Sequence, residues 1–129
     1  MNLHLDANAV VEWERGRFDL PTWIAQNHPN DELRFSAAAW QELMYGAYAW
    51  EPARAQKRVR FLSLLGVSVR AYAERQADRA ARIAAELRSS PIGFSDCQVA
   101  ATALEDRATL LTFNREHFSR VSGLRLAAV

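Results

Sequence analysis

The stretch "GFSDCQVAATALEDRATLLTF", Gly93 to Phe113, decides the fold. Its first half reads as a helix whose apolar face carries Val99, Ala103 and Leu104. Its second half, "ATLLTF", is a short apolar run of the kind that forms a buried strand. One residue fits this plan less simply: Asp96 stands at the head of the helix beside Cys97, where it either serves the helix start or does chemistry.

Working outward, the same alternation recurs. "NLHL" before Asp6 reads as a buried strand, and "ANAVVEWERG" as a short helix ended by Gly16. Pro21 in "DLPTWIAQNHP" suits a first helical turn, and Pro29 stops that segment. "ELRFS" is a second strand, followed by "AAAWQELMYGAYAW", where Trp40, Leu43, Met44 and Ala47 recur at helical spacing. "PARAQKRVRFLSLL" predicts another helix, "GVSVR" a strand, and "AYAERQADRAARIAAELRSS" a long Ala-rich helix broken by "SSPIG". After "ATLLTF" come a short helix, "REHFSRV", a turn at Gly123 and a terminal strand, "LRLAAV". Strands alternating with helices predict a three-layer α/β/α sandwich with a mainly parallel sheet covered on both faces. Residues 1–129 show no repeat, low-complexity segment or linker that would divide one domain.

Half the residues are hydrophobic and the net charge is +1, so no global field draws the chain to a polyanion. A nucleic-acid partner would have to be met by a local patch. A single cysteine excludes an internal disulfide framework and fits a reducing compartment, with cytoplasm as the expectation. Asp6, Glu12 and Glu14 near the start argue against a signal peptide or membrane span.

In open parallel sheets, ligands bind beyond the carboxyl ends of the strands. Asp6 follows the first strand directly, and Asn114 follows "TLLTF". Glu42 lies early in the helix after "ELRFS", which starts at the same edge. Asp96 heads the helix before "TLLTF"; connectivity alone leaves its edge open. If the four converge, three carboxylates and an amide share a pocket. Such a cluster takes up either protons or a cation. Oxygen donors without a cysteine–histidine set favour Mg²⁺ or Mn²⁺ over Zn²⁺. Each residue alone also has a structural reading. Ser95-x-x-Gln98 is a capping-box pattern, an acid in a first turn favours the helix dipole, and strand-exit aspartates are common in turns.

"LDANAV", "SAAAWQELMYGA" and "FSDCQVAATALEDRATLLTFNREHF" followed by "GLRL" together resemble the PIN-domain nucleases, above all the small VapC-type toxins of toxin–antitoxin pairs. The resemblance covers nearly the whole chain, and the C-terminal pattern is its most specific part. It implies that Asp6, Glu42 and Asp96 are metal ligands and that Asn114 helps bind the metal or its water. It further implies hydrolysis of RNA with Mg²⁺ or Mn²⁺, a homodimer, and a cognate antitoxin lying over the site. Two positions depart from the family. Ala7 stands where Thr or Ser is common, and His117 where an acid is usual, with Glu116 one residue earlier. Glu116 as a substitute, His117 as a ligand of metal or phosphate, and a weakened site all remain open. A catalytically inactive module working through a DNA-binding antitoxin is the alternative function.

Other doubly wound enzymes fit poorly. Asn8 stands where an aspartyl phosphatase needs a second Asp, the only lysine, Lys57, falls in a helix, and G-x-G-x-x-G is absent. Arg54, Lys57 and Arg58, with Arg60 nearby, are candidate RNA-phosphate contacts or a solvated helix face. Arg75, Arg79 and Arg82 among Glu74, Asp78 and Glu86 read as salt-bridge lacing, with Asp78–Arg82 at favourable spacing. Trp40 is expected in the core. Tyr45, Tyr48 and Trp50 are candidates for an antitoxin or dimer contact, or for packing. Cys97 reads as a small buried residue, and His4 and His28 carry no signal.

Overall fold

Strand β1 (Asn2–Leu5) is buried at His4 as fully as at Leu3 and Leu5. Successive strand residues face opposite sides, so such a strand must be covered on both faces. The computed structural model, which describes residues 1–129, shows how. After β1 come α1 (Ala7–Glu14), α2 (Leu20–Asn27), β2 (Glu32–Ser36), α3 (Ala37–Trp50), α4 (Ala53–Leu64) and β3 (Ser68–Arg70). Then follow α5 (Glu74–Glu86), α6 (Phe94–Glu105), β4 (Thr109–Leu111), α7 (Arg115–Phe118) and β5 (Arg125–Leu126). The five strands form one sheet in the order β3-β2-β1-β4-β5, and every pair is parallel. The expected α/β fold with its parallel sheet is present, and the sheet is parallel throughout.

Local chemistry starts the helices where the sheet needs them. Asp6 caps α1 by accepting from the Ala7 amide, Asp19 accepts from Thr22 ahead of α2, and Ser36 accepts from Ala39 at the start of α3. Pro21 lies in the first turn of α2, as its fixed φ favours. The core is one cluster of 26 buried residues, joining Leu3, Leu5, Phe35, Leu110 and Leu111 of the sheet to Leu43 and to Val99, Ala100, Ala101 and Ala103 of α6. Small side chains suit α6 because it contacts α5, α3, β2 and β4 at once.

Several boundaries differ from the sequence reading. The Ser95-x-x-Gln98 capping box is not formed: α6 begins at Phe94, after Gly93 with φ +94° and without a side-chain cap. Glycine adopts that left-handed angle freely, so the chain turns into the helix before Ser95 can cap it. Strand β4 ends at Leu111, and the next residue, Thr112, donates its hydroxyl to Asp6. Helix α5 starts only at Glu74, and the terminal strand has two residues. Trp40 is half-buried against the core, with its ring edge-on to Phe35. Arg82 pairs with Asp78 at 3.0 Å, whereas Arg75 and Arg79 reach across to Glu105 on α6, so much of the lacing joins two helices. No helix is long and apolar enough to cross a membrane.

Candidate active site

The strand order reverses direction at β1. The chain moves from β1 to β2 and β3 on one side, then returns to β4 and β5 on the other. At such a switch point a crevice opens beyond the carboxyl ends of the two diverging strands. Asp6 and Thr112 stand at that place. The Asp6 amide continues the ladder by donating to the Leu111 carbonyl at 2.9 Å.

Asp6 is 4% exposed. Its Oδ1 accepts from the Ala7 amide at 2.9 Å, and its Oδ2 from the Thr112 hydroxyl at 2.8 Å and Asn8 Nδ2 at 3.3 Å. Burial nevertheless pushes its carboxyl up to about 6, and the charges of Glu42 and Asp96 add to the effect against the hydrogen bonds. Glu42 stands exposed on the second turn of α3, and partial desolvation together with the charge of Asp96 raises its carboxyl too. Asp6 therefore feels two further carboxylates, and Glu42 feels that of Asp96.

Asp96 lies in the first turn of α6. Its Oδ2 accepts from Asn114 Nδ2 at 3.4 Å and meets His117 Nδ1 at 2.7 Å, while Asn114 Nδ2 and His117 Nδ1 are 3.0 Å apart. Asp6, Glu42, Asp96 and Asn114 all line one open cavity of about 660 Å³. No three His, Cys, Asp or Glu side chains are grouped to hold a metal ion as the chain stands. Burial and the charge of Asp96 raise the Cys97 thiol, which opposes a nucleophilic thiolate.

The expected basic face resolves differently. Arg58 is 7% exposed and forms a two-pronged pair with Glu14 of α1, at 2.9 and 2.8 Å, while also donating to the Leu43 carbonyl. Arg54 pairs with Glu51 at 2.7 Å and with Glu14 at 3.6 Å. Four-residue spacing turns both arginines towards the cavity wall, leaving Lys57 and Arg60 exposed. A continuous phosphate-binding face of Arg54, Lys57 and Arg58 is therefore not formed. Glu116 is 83% exposed, pairs with Arg120 at 3.2 Å and does not line the cavity; His117 is the residue of that pair which reaches Asp96.

Sequence reasoning missed Asn8 and Thr112. Thr112 donates to Asp6 and accepts from the Asn114 amide at 3.0 Å and from Asn8 Nδ2 at 3.2 Å. Asn8 Oδ1 in turn accepts from the Phe113 amide at 3.1 Å. Thr112 carried a signal, a polar residue directly after an apolar strand; Asn8, in the first turn of α1, carried none.

A family model for the PIN domain matches residues 3–124, and the chain belongs to the PIN-domain family. Its fold is similar to a chain in the structure of VapBC-1 from nontypeable Haemophilus influenzae, at 28% identity and TM-score 0.81, covering 98% of this chain and 97% of that one. A chain in DNA-bound VapBC from Salmonella typhimurium matches at 25% identity and TM-score 0.83, with 98% and 97% covered. VapBC2 from Rickettsia felis, bound to a DNA fragment from its promoter, shares the fold at 24% identity and TM-score 0.82, with 98% of both chains covered. No curated protein matches the sequence.

Proposed function

We propose that the chain is the toxin of a VapBC-type toxin–antitoxin pair and acts as a Mg²⁺- or Mn²⁺-dependent endoribonuclease. One observation carries the reading: Asp6, Glu42 and Asp96 line one cavity at the switch point, where burial first, and then neighbouring carboxylate charge, raises the carboxyls of Asp6 and Glu42. Carboxylates held in mutual repulsion gain from a hard divalent cation between them, and the donor set fits Mg²⁺ or Mn²⁺. Asp6, Glu42 and Asp96 would hold the ion, with Asn114 assisting. When bound, it supplies charge neutralisation for a phosphodiester and a more acidic water. Asn8 and Thr112 fix the Asp6 carboxylate, and Asn114 and His117 fix that of Asp96.

The family likeness and the VapBC structures support a protein antitoxin as partner; RNA as substrate, a homodimer as the working form and cytoplasm as its place belong to the same proposal. Asp96→Asn is the test, read by RNA cleavage, growth arrest and Mn²⁺ calorimetry. Loss of all three supports the assignment, and undiminished cleavage refutes it.

The contact of His117 with Asp96 favours a second reading, a PIN-domain binding module with little or no catalysis. It engages an oxygen that an ion would need. Wild-type protein that takes up no Mn²⁺ would select this alternative.

A further inference from the structure

A second recess opens beside the carboxylate cavity, and Glu42 lines both. It measures about 500 Å³, within the range of small-molecule sites. One bank is α3, with Gln41, Tyr45 and Tyr48. The other is the start of α6, with Ser95 and Gln98 in its first two turns. Ser95 adjoins Asp96 in the chain, so each bank lies beside a carboxylate of the first cavity. Tyr45 and Tyr48 are 67% and 63% exposed, although large aromatic groups gain from burial.

We propose that this recess is a nucleobase subsite, in which Tyr45 and Tyr48 stack a base of single-stranded RNA next to the phosphate held over Asp6, Glu42 and Asp96. The inference rests on the ribonuclease reading and names where the substrate's neighbouring nucleotide goes. Apart from Glu42, the lining is uncharged, which suits a base and not a phosphate. Aromatic faces stack any base, and the Gln41 and Gln98 amides offer both a donor and an acceptor to its edge. Ala38 and Met44 complete the lining, and the apolar surface continues through Met44 and Tyr48 to Val59 and Leu64, so a second copy of the chain is the competing occupant that the test must separate.

The test compares the full-length chain with Tyr45→Ala, Tyr48→Ala and Tyr45→Phe. Affinity is measured by fluorescence anisotropy for a short labelled oligouridylate and for the same strand made abasic, with Ca²⁺ present. Self-association is followed by sedimentation, and cleavage with Mn²⁺ is assayed in parallel. Each alanine variant should weaken oligouridylate by about tenfold or more, the scale of one stacked base. Tyr45→Phe should keep the affinity, and the abasic strand should bind all four proteins alike.

Alanine variants that bind oligouridylate like the wild type overturn the subsite. If those variants also lose self-association, the face is an interface between copies. Retained Mn²⁺-dependent cleavage in that case leaves the ribonuclease reading standing. A wild-type protein that neither binds nor cleaves RNA removes both.

Discussion

The Thr112 hydroxyl donates to Oδ2 of Asp6 at 2.8 Å, across the gap between the two strands that diverge at the switch point. That bond ties the end of β4 to the end of β1. It also secures an anion in a place that disfavours it, since Asp6 is almost wholly buried and faces two further carboxylates. If Asp6 serves the proposed reaction, stability and function are in conflict there.

Asp6→Asn should separate the two. Raising the carboxyl from 3.8 to about 6 corresponds to about 3 kcal/mol at most. Because the folded value lies above the unfolded one, stability from the retained proton is present below 3.8 and is lost as pH rises through about 6. The variant should match the wild type in acid and exceed its melting temperature by several degrees at about pH 7.5. RNA cleavage should be lost. A melting difference that does not vary with pH would contradict the buried-charge account.

Thr112→Val keeps the shape and removes the hydroxyl. It takes a donor from Asp6 and leaves the Asn114 amide and Asn8 Nδ2 without that acceptor. The cost should be about 1–3 kcal/mol in urea unfolding, the range for an unsatisfied buried polar group. Thr112→Ser should recover most of it. Cleavage should fall in the valine variant, because Asp6 and Asn114 lose a shared anchor.

These effects bear on what the sequence could reveal. Burial on both strand faces and helical periodicity made the sheet legible from apolar spacing alone. Asp6 was legible because it follows its strand directly, and Asn114 because it follows the apolar run "TLLTF", although β4 itself ends at Leu111. Asp96 was harder, yet the link between α6 and β4 is only Asp106–Ala108. So short a connection makes the helix run back along the strand, which returns its head to the carboxyl edge. Arg58 was misread because an i, i+4 pattern reports which side chains share a face and not what that face meets. Glu14, its partner, lies on a helix 44 residues earlier in the chain.

The Arg58–Glu14 pair gives a third prediction. Removing one member of a buried pair strands the other, so Arg58→Met should cost about 3–5 kcal/mol. Trp13 and Phe61 stack at 3.8 Å between the same two helices and should keep the variant folded at low temperature. Adding Glu14→Gln should restore much of the loss, as urea midpoints would show. Additive single effects would mean that the two side chains act independently.

If the site holds a divalent ion as proposed, His117 should decide how it discriminates between ions. Its Nδ1 lies 2.7 Å from Asp96 Oδ2 and 3.0 Å from Asn114 Nδ2, so an ion gathered by Asp96 would meet an imidazole nitrogen. Imidazole suits Mn²⁺ better than Mg²⁺, which prefers oxygen. His117→Asp should therefore improve Mg²⁺ affinity more than Mn²⁺ affinity, by about tenfold in the ratio, the scale at which ligand-shell changes act. His117→Ala should lower Mn²⁺ affinity while freeing Asp96. If His117 only occupies the Asp96 oxygen, alanine should instead strengthen both ions equally. Calorimetry on the three proteins separates the cases, and an unchanged ratio in His117→Asp would exclude His117 from the ion's shell.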